Sequence, residues 1–148
     1  MEAKATQALV NELIETLKDG QKGYSEAMTD VEDTQLKSTF KEYAAQRAEY
    51  ITELEDQMFK LNLKPDEESS ITGTVHRAWI NLKGALTSKD NKSILNECER
   101  GEDYAKKAYQ TALKAEDLPS GLKPVIEKQY QGVMAAHDKI KMLRDSAK

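Results

Sequence analysis

The chain is poor in cysteine, proline and glycine, and each shortage excludes a class of protein. Its single cysteine, Cys98, excludes an intrachain disulfide and any metal cluster built on several thiolates. Three prolines and seven glycines in 148 residues are too few for a turn-rich sheet protein, which would also need more valine and isoleucine. These shortages favour a protein built from long helices.

Long apolar runs and basic runs are also missing. No stretch approaches the roughly 18 apolar residues that span a membrane, and the first residues lack the apolar block of a secretory signal. The two signs of charge are interspersed and sum to −4, with no basic stretch for nucleic acid. We therefore expect a cytoplasmic protein with no membrane or nucleic-acid partner, which the single cysteine also favours.

Apolar side chains recur at helical spacing in five segments, at residues 3–30, 34–63, 70–87, 91–115 and 120–145 of one domain spanning 1–148. Hydrophobic residues make up 39% and charged residues 32%, which suits helices because each buries only one stripe. Short loops make the first two and the last two long helices antiparallel pairs. The sequence thus predicts an all-α, ferritin-like four-helix bundle of two antiparallel hairpins, with the shorter helix as a crossover.

Ferritin-like bundles use their interior to hold two metal ions. The ligands are a Glu from each of two helices and a Glu-x-x-His from each of the other two. No Glu-x-x-His occurs in this chain. When residues are placed about 100° apart round the first helix, Glu15 and Asp19 lie away from its apolar stripe. A complete di-iron site is therefore not expected.

Three titratable residues lie on apolar faces instead, namely Arg47, Glu102 and His137. A buried charge must be paired, because an unpaired one costs several kcal/mol. At a rise of ~1.5 Å per residue, a crossover bundle brings Arg47 and Glu102 within about two turns of each other. We predict a buried polar cluster of Arg47, Glu102 and His137, near Gly20 and Tyr24.

Three interpretations of this cluster remain open. The first is an ion pair that fixes the register of the helices. The second is a small-ligand site or a site for iron, manganese or zinc on Glu99, Glu102 and His137, although Arg47 would repel a cation. The third is catalytic use, for which the sequence identifies no catalytic residue.

Other conspicuous residues are interpreted as structural. We expect His76 at the edge of the short helix, Trp79 in the core, and Cys98 as an inert core thiol rather than a nucleophile. Gly101 weakens its helix by about 1 kcal/mol relative to Ala. A glycine there indicates a close helix approach, and Gly23 has the same interpretation.

Four groups of residues occur in an order that resembles a known family. They are Leu13-Ile14-Glu15-Thr16 with Asp19-Gly20 and Gly23-Tyr24, then His76-Arg77-Ala78-Trp79-Ile80-Asn81-Leu82-Lys83, then Glu99-Arg100-Gly101-Glu102-Asp103, then Ala136-His137-Asp138. Over nearly its whole length the chain resembles the bacterial ferritin-like four-helix-bundle family called domain of unknown function 2383. The positions that match the family signature are Glu15, Asp19, Arg47, His76, Arg77, Trp79, Glu99, Glu102 and His137.

The resemblance implies a fold but no settled activity, and a fold does not confer a function. One expectation is a non-enzymatic, stress-related bundle that its polar cluster holds together, with a second copy of the chain as the expected partner in a homodimer. The alternative is a divergent metal-binding protein with iron- or manganese-dependent oxidase or peroxide chemistry, as broader ferritin-like relatives imply. A third is an adaptor that docks a partner on an apolar patch of the first two helices.

Overall fold

A computed structural model describes residues 2–65, 79 and 81–147, which fold into helices joined by turns. The helices are α1 (Ala3–Asp30), α2 (Thr34–Lys60), α3 (Leu82–Ser88), α4 (Asn91–Leu113) and α5 (Leu122–Ser146). These described residues include no strand, so the predicted all-α bundle is confirmed. None of the described helices is both long enough and apolar enough to cross a membrane.

The first hairpin, α1 and α2, turns within three residues. The backbone N–H of Val31 donates to the carbonyl of Ala27 and ends α1. Asp33 then caps α2, because its carboxylate accepts from the N–H of Leu36 at 3.0 Å. The predicted boundaries of α1 agree with the structure. Val31 is buried, so the turn itself is anchored in the core.

The later helix ends differ from the sequence prediction by a few residues. Helix α2 ends at Lys60 rather than 63, because Asn62 adopts a left-handed conformation with φ of 59°. Helix α4 ends at Leu113 rather than 115, and Asp117 has φ of 62° in the following loop. Helix α5 begins at Leu122 rather than 120 and continues to Ser146.

Only part of the predicted short helix falls within the described residues. The prediction was a helix over residues 70–87; within the described residues, α3 spans Leu82–Ser88 and Trp79 lies in a turn. Residues 66–78 and 80, including His76, lie outside the described part of the chain. Lys89, with φ of 57°, ends α3 in the left-handed conformation and turns the chain into α4.

The buried side chains show how the long helices are arranged. Val31, just after α1, packs in one apolar cluster with Ile94, near the start of α4, so α1 and α4 are antiparallel. Met58, near the end of α2, packs in a second cluster with Leu122, at the start of α5. Each helix is thus antiparallel to its neighbours, and α2 and α4 run in the same direction at opposite corners. The chain between Lys60 and Asn91 therefore connects opposite ends of the bundle.

A polar layer separates the two apolar clusters. The first cluster includes Tyr24 and the second includes Tyr109. Along α2, Arg47 falls between residues of the first cluster and residues of the second. Glu102 of α4 falls at the matching height, and both side chains are fully buried. The core is therefore divided at mid-height by a pair of opposite charges.

Helix α1 buries more of its circumference than one apolar stripe. Glu15 is 5% exposed and Asp19 is 8% exposed, so the expectation that these carboxylates face outward was wrong. The reason is that α1 packs against three helices, α2, α3 and α4. A helix in contact with several neighbours buries a wider arc than the stripe that a helical wheel shows.

Candidate functional site

The central feature of the interior is a two-pronged ion pair between Arg47 and Glu102. One terminal guanidinium nitrogen donates to Glu102 Oε1 at 2.5 Å and the other donates to Oε2 at 2.8 Å. The two side chains are 1% and 0% exposed. Parallel bonds from a planar guanidinium to both carboxylate oxygens are the strongest form of such a pair. The structure thus brings together the two charges that sequence reasoning placed nearest each other.

The surroundings of Arg47 position its guanidinium from three directions. Its Nε donates to the side-chain oxygen of Gln46 at 3.1 Å, and its Cζ lies 5.7 Å from the centre of the Tyr24 ring. A Cβ atom on Gly20 would lie 3.5 Å from the nearest guanidinium nitrogen, which is ordinary contact. Each nitrogen of the guanidinium therefore donates to an acceptor, while an aromatic face covers the cation.

Burial and the ion pair set the protonation states of this layer. Burial alone would lower the pKa of Arg47, but the carboxylate of Glu102 raises it more, so the guanidinium keeps its charge. Burial raises the pKa of Tyr24 well above its ordinary value, and Glu102 adds to the effect. The phenol oxygen of Tyr24 has no hydrogen-bond partner among the described residues. Tyr24 is thus a neutral phenol beside a charged pair.

A second group of polar side chains, centred on Gln129, lies beside the apolar cluster that includes Tyr109. The phenol of Tyr109 donates to the Gln129 amide oxygen at 2.6 Å. The amide nitrogen donates to the Tyr50 carbonyl at 3.1 Å and to Glu53 at 2.9 Å. Gln129 is fully buried, and its amide has partners on α2 and α4. It therefore joins three helices without a free donor, as a structural polar group does.

His137 does not join the interior pair. Its Nε2 lies 2.7 Å from Asp103, which is about half exposed, and its Nδ1 lies 3.2 Å from Asp138, which is mostly exposed. The predicted cluster of Arg47, Glu102 and His137 is thus divided in two. Glu102 points into the core while Asp103, the next residue along α4, points towards α5, because successive helical residues are rotated by about 100°.

The predicted metal ligands change for the same reason. Both oxygens of Glu102 are held by Arg47, so the set of Glu99, Glu102 and His137 does not converge. The side chains that do converge are those of Glu99, Asp103 and His137, whose candidate ligand atoms lie within 4.8 Å of one another. Sequence reasoning missed Asp103, although its spacing of four residues from Glu99 places both carboxylates on one helix face.

Trp79 occupies a notch between α1 and α4 that two glycines create. A Cβ atom on Gly23 would lie 2.4 Å from the indole, and one on Gly101 would lie 2.3 Å from it. The indole packs edge-on against Tyr24, with ring centres 5.2 Å apart. The predicted close approach at these glycines is thus with a side chain, and Trp79 is partly buried at the rim of the core.

The remaining candidate residues are structural or fall outside the described chain. Cys98 is fully buried, and burial raises the pKa of its thiol well above the ordinary value, so it is a poor nucleophile. His76 and Arg77, two positions of the predicted family signature, lie outside the described residues.

A comparison with known protein families identifies the family of this chain. Residues 5–115, about three quarters of the chain, match the family described as "Domain of unknown function (DUF2383)". The matched range contains Arg47, Glu102, Glu99 and Asp103, but it ends before His137. No curated protein matches the chain.

Proposed function

The chain belongs to the DUF2383 family, and from that premise we propose that it is a non-enzymatic, ferritin-like bundle. Its interior ion pair fixes the register of the helices in the place where ferritin-like enzymes hold two metal ions. The supporting observation is the fully buried pair of Arg47 and Glu102, which crosses the bundle between α2 and α4. The protein then acts through its surface rather than through chemistry in its core.

The connectivity of the helices supports the ferritin-like part of this proposal. Helices α2 and α4 run in the same direction, so the chain between Lys60 and Asn91 joins opposite ends of the bundle. One long crossover between two hairpins distinguishes ferritin-like bundles from simple up-down-up-down bundles.

The charges of the polar layer support the non-enzymatic part. A carboxylate that ligates a metal needs a free oxygen, whereas both oxygens of Glu102 accept from Arg47. The guanidinium also places a permanent positive charge at mid-height, which repels a second cation. The guanidinium of Arg47 therefore neutralises the buried carboxylate of Glu102, as a metal ion neutralises the carboxylates of a ferritin-like centre.

The source, the cellular compartment and the role of the protein belong to the same proposal. We infer a bacterial, cytoplasmic and stress-related role, on the basis of the family resemblance and of a single, fully buried cysteine, which suits a reducing compartment. Comparing the abundance of the protein in cytosolic and membrane fractions, with and without stress, tests this inference. Equal abundance under all conditions would remove the stress-related part.

Iron oxidation is the direct test of the non-enzymatic proposal. The full chain, freed of metal with a chelator, is expected to keep its helical circular dichroism because its core needs no ion. Addition of Fe²⁺ in air is expected to give oxidation no faster than buffer alone. Two bound ions per chain, with iron oxidation that a Glu102→Gln variant loses, would contradict the proposal and would support the oxidase alternative.

A further inference from the structure

A mixed group of carboxylates and an imidazole lies on the surface between α4 and α5. Glu99 and Asp103 stand one turn apart on α4, and His137 faces them from α5. One candidate ligand atom from each lies within 4.8 Å of the other two. The group is separate from the interior ion pair, since Glu102 between them points into the core.

His137 is oriented as a metal-ligating histidine is. The residue is 8% exposed, so packing against the bundle fixes its ring. Asp138 lies 3.2 Å from Nδ1, while Nε2 is directed at Asp103 Oδ1, 2.7 Å away. Metal-bound histidines commonly donate their second ring N–H to a carboxylate, which fixes the tautomer and raises the basicity of the ligating nitrogen. An ion at about 2.1 Å from Nε2 and from Asp103 fits this pair as two adjacent ligands.

The charges around the group favour a cation. Carboxylate oxygens of Glu99 and Asp103 lie within 4.8 Å of each other and of the His137 imidazole, and Asp138 lies 3.2 Å from that ring. Arg144 donates to Glu99, but its guanidinium also donates to Asp145 at 2.9 and 3.1 Å. Asp145 therefore retains Arg144 when Glu99 turns to an ion. Asp103 is about half exposed, so solvent reaches the group.

We propose that Glu99, Asp103 and His137 bind one divalent transition-metal cation, which joins α4 to α5. An imidazole with two carboxylates suits Zn²⁺, Co²⁺, Fe²⁺ or Mn²⁺, whereas Ca²⁺ and Mg²⁺ prefer oxygen ligands alone. Asp138 is a positioning residue in this site because it acts on the ion through the imidazole. This surface site goes beyond the proposed function, because a cation bound there requires neither a metal ion in the core nor catalysis.

Titration of the metal-free full chain with Co²⁺ and with Zn²⁺ tests the site. Calorimetry is expected to give one ion per chain, and bound Co²⁺ is expected to show visible absorption from nitrogen and oxygen ligands. Loss of a direct ligand in His137→Gln or Asp103→Asn is expected to weaken binding by more than 100-fold. The positioning variant Asp138→Asn is expected to weaken it by about 10–100-fold.

The control is Glu127→Gln, an exposed carboxylate on α5 away from the group, which is expected to bind as the wild type does. Circular dichroism of each variant shows whether it is folded. Absence of heat and of absorption at millimolar Co²⁺ would overturn the proposal. Binding that is unchanged in both His137→Gln and Asp103→Asn would overturn it as well.

Discussion

At the scale of single residues, the core is organised around side chains that apolar patterning does not favour. Arg47 and Glu102 lie on apolar stripes of their helices, and this conflict between residue type and position was enough to predict that they pair. The structure supplies the details: two parallel hydrogen bonds and an aromatic face above the guanidinium. Sequence could not supply them, because they depend on rotamers and on the rotation of each helix about its axis.

The partner of His137 shows where sequence reasoning reaches its limit. His137 borders an apolar stripe, and Glu102 was the nearest carboxylate that lay on one. A shift from Glu102 to Asp103 changes the direction of the side chain by about 100°, from the core to the face of α5. Only the packing of α4 against α5 decides which of two adjacent carboxylates meets the imidazole.

The notch that holds Trp79 gives a residue-scale prediction. In a Gly101→Ala variant the added methyl group would overlap the indole, since its Cβ would lie 2.3 Å from the ring. We expect a loss of about 1–3 kcal/mol, as for other overpacked cores. We also expect a red shift of the fluorescence of Trp79, the only tryptophan in the chain, as it moves towards water.

A matched glycine provides the control for that variant. Gly84 lies in α3, where an added Cβ atom would meet no other part of the described chain within 4 Å, so Gly84→Ala adds helix propensity without a clash. This variant is expected to be unchanged or more stable by up to about 1 kcal/mol, with unchanged fluorescence. Equal behaviour of the two variants would show that Trp79 does not occupy the notch.

At the scale of the helices, existence and type were predictable, while several of the helix ends were not. The apolar spacing was sufficient to identify the four long helices, since each carries a stripe over several turns. The ends depend on local backbone chemistry. Asn62 adopts a left-handed conformation that terminates α2, and Asp117 adopts one in the loop after α4. The sequence does not distinguish these residues from several neighbours that could also end a helix.

The cap of α2 gives a prediction at this scale. An Asp33→Ala variant removes the carboxylate that accepts from the N–H of Leu36 at 3.0 Å. We expect a loss of about 1 kcal/mol in the free energy of unfolding, measured by urea denaturation. Asp33→Asn keeps an oxygen in the same place and is expected to retain most of the stability. A loss as large in Asp33→Asn as in Asp33→Ala would show that the cap is not the cause.

At the scale of the whole molecule, the bundle consists of two apolar clusters joined across a charged layer. The all-α architecture and the antiparallel hairpins followed from helix lengths and short loops. The wide burial of α1, which includes Glu15 and Asp19, did not follow, because it depends on contact with three other helices. A helical wheel treats each helix alone and therefore underestimates such burial.

Buried tyrosines predict how the whole molecule responds to alkali. Burial, more than any nearby charge, raises the pKa of Tyr43 to about 12 and raises that of Tyr24 well above its ordinary value. In the unfolded chain these phenols ionise near about pH 10. Above that pH the unfolded state binds fewer protons than the folded state, so the free energy of unfolding falls as pH rises. The contribution of these phenols to the free energy of unfolding is fully present below about pH 10 and is lost as the pH rises through about 12.

Tyrosinate absorbance, recorded with far-ultraviolet circular dichroism, checks this dependence. The buried phenols are expected to ionise together with the loss of helix, in one cooperative transition. Ionisation of all six tyrosines near about pH 10 with the helices intact would contradict the burial of Tyr24 and Tyr43.

The free energy of unfolding of Arg47→Met, measured in urea at neutral pH, tests the central claim that the interior ion pair holds the bundle. We expect a loss of about 3–5 kcal/mol, because Glu102 would be left buried without its partner. The double variant Arg47→Met/Glu102→Met is expected to recover most of that loss. The control is Arg100→Met, which breaks a half-exposed pair and should cost less than about 1 kcal/mol. A loss in Arg47→Met no larger than in Arg100→Met would contradict the account.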